Sequence, residues 1–200
     1  MSDLKEQLCT KEKDSLEKLY RKVKGYAALH NIRLGACEST KKEARVDWIA
    51  SAMERKEILQ ALISDLRAGE SACLGYVYES GGFGEYIRIE PYWKETGLIY
   101  TVTDHEGFEH GVMTDVLMDF LRNDDANFLS QIRTSSFINS TVCAMTNLYG
   151  AVPYAKAYDI FQEITVMHQN VAYETFVETA TRFAEFREEC GVVPYQKNFI

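Results

Sequence analysis

Apolar side chains recur at Leu16, Leu19, Tyr20 and Val23 within residues 12–24. That i, i+3, i+4, i+7 spacing lines one face of an α-helix, and Lys and Arg fill the other faces. Gly25 predicts its stop. Residues 26–39 are apolar without a period, with Gly35 as a turn, and read as an extended connection. A second helix follows, with Val46, Ile49, Ala50 and Met53 as its buried stripe. Either Ser39 or Thr40 can cap it; with Thr40 as cap, Glu43 would complete a capping box. Ile58, Leu59, Leu62, Ile63 and Leu66 predict a third amphipathic helix over 56–67.

Beyond that point the pattern changes period. Residues 70–79 fit helix or strand, and SGGFGEY (80–86) reads as a loop because of its glycines. Pro91 suits the first turn of a short helix over 89–96 that Gly97 ends. LIYTVT (98–103) is β-branched and aromatic, DHEGF (104–108) is turn-like, and EHGVM (109–113) returns as an antiparallel partner. Residues 114–122 form a capped helix. From 126 onward the pattern is helical, with breaks at Gly150, Pro153 and Gly191. The octet beginning at Tyr149 (YGAVPYAK) recurs in variant form at Cys190 (CGVVPYQK), two copies of a helix-stop-helix unit. A small bundle suits them better than a solenoid. The expected fold is therefore mostly α with a small β-hairpin (α+β). Its expected modules are 1–55, 56–123 and 124–200.

Charge is distributed unevenly along this framework. Residues 1–67 hold 14 Lys/Arg against 11 Asp/Glu, and residues 68–200 hold 8 against 19, which makes the net charge of −8 a sum of +3 and −11. Phosphate backbones are bound by clustered Lys and Arg that release counterions, so only the first third suits a nucleic acid. Its candidate contacts are Lys22, Lys24, Lys41, Lys42 and Arg45, at the two helix ends that the extended connection joins. Glu17, Glu38, Glu43 and Asp47 interleave with them, so ordinary solvated faces are the competing reading. Trp48 beside them reads as core or half-core.

Helix, extended segment and helix in LEKLYRKVKGYAALHNIRL and STKKEARVDWIASAM resemble the SAP-type and Rho N-terminal-type nucleic-acid modules, over about a quarter of the chain. The middle resembles a winged helix, with 104–108 in the wing position. DNA-binding wings place Lys or Arg there; this one has Asp104, His105, Glu106 and Glu109, which turns the expectation toward a protein-facing or purely structural use.

Catalytic signatures are sparse. HEGFEH brings His105 and His110 within one hairpin, but it is not H-E-x-x-H: the second His comes one residue late and the segment reads as strand and turn. A metal-dependent hydrolase there is the least favoured reading. GGFGEY lacks the G-K-[ST] of a phosphate loop, and no G-x-S-x-G occurs. Cys9, Cys37, Cys73, Cys143 and Cys190 are scattered and odd in number, as expected of reduced thiols in the cytoplasm rather than disulfides or a zinc site. The N-terminus is charged from its start, so neither a signal peptide nor a membrane partner is expected. We expect no catalytic residue, no metal and no cofactor.

Aromatic residues crowd the tail. Most are expected in the core, and Tyr154, Tyr158, Tyr173 and Tyr195 are the candidates for a protein interface, including one with a second copy of the chain. Acidic, compact and without catalytic motifs, the chain is similar in character to small phage-encoded inhibitors of host defence, including anti-CRISPR proteins. That resemblance implies a non-enzymatic inhibitor or regulator of a protein or ribonucleoprotein that handles nucleic acid. The N-terminal module would supply any weak DNA or RNA contact. The alternative is a DNA-associated transcriptional or plasmid regulator.

Overall fold

A computed structural model describes residues 2–123, 126–164 and 171–186. It is mostly helical with a small antiparallel sheet, the α+β class expected from the pattern. The chain divides into two compact units. One comprises Met1–Ile63 with Gly69–Leu129, the other Ser64–Ala68 with Ser130–Ile200.

In the first unit, α1 (Asp3–Thr10) precedes the helix that the pattern predicts and buries Leu4 and Leu8. Helix α2 (Lys13–Leu29) buries Leu16, Leu19 and Val23 as expected, but it runs through Gly25. Tyr26 and Ala27 extend its buried stripe, and their burial outweighs the roughly 1 kcal/mol that an interior glycine costs. The stop comes at Asn31, in the left-handed region at φ 54°. The Ile32 amide donates to Ala27 O (2.7 Å) and the Asn31 amide to Ala28 O (3.2 Å), the Schellman closure. Helix α3 (Lys42–Met53) carries the predicted stripe. Its N-cap is Lys41, whose amide donates to Ser39 Oγ at 3.1 Å, so the capping box through Thr40 does not form.

Helix α4 (Lys56–Ser64) follows, and 70–79 resolves as helix, within α5 (Ala68–Glu79). Part of the glycine-rich segment is not loop: Phe83–Gly84 forms strand β1. Helix α6 (Pro91–Thr96) ends at Gly97, φ 75°. Strands β2 (Ile99–Thr103) and β3 (Glu109–Met113) make the predicted hairpin, and α7 (Asp115–Arg122) follows. The sheet order is β1-β3-β2, antiparallel throughout.

Gly111, at the centre of the sheet, lets the core close over it. A Cβ there would stand 2.4 Å from Ile89 Cδ1, nearer than atoms can approach. Among the described residues the largest fully buried side chain is Trp93, its indole N–H donating to Glu70 O at 2.9 Å. The Tyr92 hydroxyl likewise reaches Leu62 O at 2.8 Å. These bonds fasten α6 to the helices before it, so α6, only six residues long, is held by tertiary contact rather than by its own propensity.

The second unit is built from α8 (Ala126–Tyr149) beyond its first turn, α9 (Tyr154–Ile164) and α10 (Tyr173–Phe186). Helix α8 is continuous to Gly150, φ 75°. Val142, Met145, Phe161, Phe176 and Phe183 centre its core. The Ser64–Ala68 segment is held by polar bonds within this unit. Asn139 Nδ2 donates to Leu66 O (2.8 Å), the Ala68 amide to Ser140 Oγ (2.8 Å), and Arg182 Nε to Asp65 Oδ1 (3.1 Å). Asp65 is fully buried. The second copy of the repeated octet, at 190–197, lies outside the described residues.

Candidate functional site

The N-terminal basic residues do not form one free patch. Arg45 lies over the Tyr20 ring, 3.7 Å from its centroid, and 3.2 Å from Glu17. Its side chain is 13% exposed, which leaves little of it to meet a phosphate. Burial works against its charge, but bonds to Tyr20 and Cys37 and the charge of Glu17 outweigh that and push its pKa up. Tyr20 in turn meets Trp48 edge-on at 4.7 Å, and the Trp48 indole donates to Gly35 O at 2.6 Å. The Arg45–Tyr20–Trp48 stack thus staples the extended connection to both helices. Lys22, half-buried, sits over the Tyr92 ring at 4.4 Å. Lys24 and Lys41 reach solvent, and Lys42 is half-exposed at the start of α3. The 470 Å³ groove beside them is lined by Glu38, Asp47, Trp48 and Arg55 among others, and is not basic.

The tail tyrosines are placed differently from expectation. Tyr154 is buried and its hydroxyl bonds Thr181 at 2.8 Å. Tyr158 donates to Val171 O at 2.8 Å and packs edge-on against Tyr173 and Phe176. Tyr154 is thus a core side chain and Tyr158 packs half-buried against the core; apolar rings with a bonded hydroxyl fill a bundle at little cost. Tyr173 remains 40% exposed, and Tyr195 lies outside the described residues.

In the hairpin, His105 and His110 have separate roles. His105 is solvated, 90% exposed, near Glu106. His110 is buried, its Nε2 2.9 Å from Asp104 Oδ2, and its ring lies between Phe83 (5.1 Å) and Tyr86 (5.4 Å). Asp104 Oδ1 also accepts the Glu106 and Phe108 amides, both at 2.9 Å, an Asx-type turn. Among the described residues no three His, Cys, Asp or Glu side chains group as metal ligands.

Bonding to His110 first, and to the Phe108 amide second, holds the Asp104 carboxyl below its ordinary 3.8. A carboxyl depressed on folding stabilises the fold above its unfolded value, and that contribution fades as pH falls through the lower, folded value. Asp104→Asn is therefore expected to lower the urea midpoint at neutral pH. The gap between the two proteins should close once the pH is taken below the ordinary aspartate range. A gap independent of pH would show that shape, rather than charge, locks the turn.

Around His110 lies a surface that residue-by-residue reading of the sequence does not single out. Strand register places Phe83, Val112 and Tyr100 in one cross-strand row, and His110 and Val102 in the next. Phe83 (45%) and Val102 (42%) are exposed, and Tyr86 (67%) and Phe108 (48%) meet edge-on at its rim. Tyr86 is held at φ 52°, unusual for an aromatic residue. Burial, then the charges of Asp3, Asp115 and Glu6, pushes the Tyr100 hydroxyl's pKa up. The opposite face of the sheet is closed: Ile99 and Met113 are buried there and Ile89 covers Gly111. The signal available in the sequence is the alternation Tyr100-Thr-Val102 opposite His110-Gly-Val112, which puts apolar residues on a second face.

No family model, no curated protein and no solved structure matches the chain.

Proposed function

We propose that the protein is a non-enzymatic binding protein that inhibits or regulates a nucleic-acid-handling protein or ribonucleoprotein, in the manner of phage-encoded anti-CRISPR-type inhibitors. In this reading it acts in the cytoplasm and grips a basic groove that would otherwise hold a nucleic acid. The observation that carries the reading is the charge of −11 over residues 68–200, which a phosphate backbone would repel and a basic groove would attract. The exposed aromatic sheet face, bordered by the Asp104–Glu106 turn, adds to it. A winged-helix reading of the hairpin points the same way, since the wing holds Asp104, Glu106 and Glu109 and no Lys or Arg.

A second reading, a DNA-associated regulator, is favoured by Lys24 and Lys41, which reach solvent beside the helix–extended–helix. Gel shifts with duplex and single-stranded DNA and RNA, at low and moderate salt, separate the two. No shift at micromolar protein is expected. Affinity capture from a nuclease-treated lysate should then retain a basic partner that salt releases. Binding that falls steeply with salt and vanishes in Lys24→Glu/Lys41→Glu/Lys42→Glu would instead establish the DNA-associated regulator.

A further inference from the structure

We infer that the open sheet face formed by Phe83, Tyr100, Val102 and Val112, with Tyr86 and Phe108 at its rim, receives an arginine-bearing segment of a protein partner. This deepens the reading above, and rests on it, by naming the surface and the chemistry of what it holds.

Three observations converge on that occupant. First, the face is apolar and aromatic yet left open, while the other face of the same sheet is sealed by Ile89, Ile99 and Met113. Four of its side chains are between 42% and 67% exposed. Second, its rings are held in place rather than loose. Phe83 stacks on His110, Tyr86 lies against both His110 and Phe108, and the Asp104–His110 bond fixes the hairpin that carries Phe108. Preorganised rings lose little entropy when a ligand settles on them. Third, carboxylates border the rim: Asp104 Oδ2 is 2.9 Å from His110 Nε2, and exposed Glu106 shares the Asp104 turn with Phe108. Residues 76–110 hold seven Asp/Glu against two Lys/Arg. Of those two cations, Lys94 is within 3.9 Å of Glu109 and Arg88 is exposed.

An open aromatic surface with a carboxylate rim matches a guanidinium. The planar cation stacks on a ring through its quadrupole and turns its N–H groups to the carboxylates. A nucleic acid could also stack on such rings, but its phosphates would meet the same carboxylates and be repelled. Phosphate-binding grooves of nucleic-acid-handling proteins present arginines of this kind, so occupation of the face would displace the nucleic acid by direct competition.

The test uses the full chain and fluorescein-labelled nona-arginine and nona-glutamate peptides, read by fluorescence anisotropy at moderate salt. Nona-arginine is expected to bind and nona-glutamate not to. Tyr86→Ala/Phe108→Ala should weaken nona-arginine binding about tenfold, as loss of two cation–π contacts implies. Tyr86→Phe/Phe108→Tyr should restore it. The control is Glu163→Gln/Glu174→Gln/Glu178→Gln, which removes charge from the second unit and should leave binding within about twofold. Because Tyr86 and Phe108 are exposed, their removal opens no core cavity; a second variant, Val102→Lys, places a like charge on the face and should also weaken binding.

Loss of binding in the control variant but not in the ring variants would overturn the assignment of the face and leave the acidic-body reading standing. Failure to bind nona-arginine at all would overturn the partner chemistry; the lysate capture then decides the broader reading by itself. A concentration-dependent dimer in sedimentation that Tyr86→Ala/Phe108→Ala dissolves would give the face to a second copy of the chain and overturn the proposal. A salt-sensitive complex with single-stranded DNA lost in the same variant would overturn it in favour of base stacking.

Discussion

Replacing Trp93 with alanine is expected to cost the first unit roughly 3–5 kcal/mol, the range for emptying a large aromatic site in a packed core. Trp93 is fully buried on a six-residue helix, and its indole N–H is bonded to the Glu70 carbonyl. Truncation would leave a cavity and strip that carbonyl of a partner, two costs that act together. Helix α6 leads directly into strand β2, so the loss should reach the sheet. Trp93→Phe keeps one aromatic ring in the site and loses the fused second ring with its N–H; it should cost less than alanine. Urea unfolding followed by near-ultraviolet circular dichroism measures both. A cost below about 1 kcal/mol for alanine would mean that the helix repacks around the gap, contrary to the close packing inferred here.

Arg182→Ala carries the largest expected effect in the second unit, about 3 kcal/mol. Asp65 has no exposed surface, and Arg182 Nε is 3.1 Å from its Oδ1. Removing the guanidinium strands a carboxylate in a place where water reaches it poorly. The partial exposure of Arg182, 31% for its side chain, keeps the expected cost at the lower end of the range for buried pairs. Asp65→Ala/Arg182→Ala should recover part of the loss, because an absent pair is less costly than half of one. The double-mutant cycle, read from unfolding midpoints, gives the coupling energy. Coupling near zero would show that Asp65 is satisfied by other groups and that Arg182 is incidental. The variant also tests the embedding of Ser64–Ala68, since Asp65 is one of the groups by which that segment joins the C-terminal helices.

The functional surfaces were only partly legible. Lys24 and Lys41 are exposed as a polar pattern suggests, although Lys24 Nζ stands 6.0 Å over its own helix's Tyr20. Lys22 and Arg45 are instead drawn in over aromatic rings. Nothing local distinguishes the two kinds, because the rings that capture them come from other elements. Arg45 meets Tyr20 across the extended connection, and Lys22 meets Tyr92 about seventy residues away. The tail tyrosines show the converse. Tyr154 and Tyr158 look like contact residues by type, and each spends its hydroxyl on a bond within the bundle. The sheet face escaped notice because Phe83, Tyr86 and Phe108 stand singly among glycines and charges, and only strand pairing assembles them.

What the chain alone determined follows from short-range patterns. The stripes of α2, α3, α4 and α7, the stop of α6 at Gly97, the break at Gly150 and the hairpin over 98–113 depend on spacing and turn residues a few positions apart. Period and backbone sterics act at that range, so they are visible in the residues themselves. Tertiary structure decided what those patterns leave balanced. It carried α2 through Gly25, because burial of Tyr26 and Ala27 exceeds the glycine penalty. It turned Phe83–Gly84 into a strand, because β3 offers an edge there and Gly111 lets Ile89 close the core beneath. It also set Asp65 against Arg182 across more than a hundred residues of sequence, a pairing that no local rule encodes and that only the packed bundle brings together.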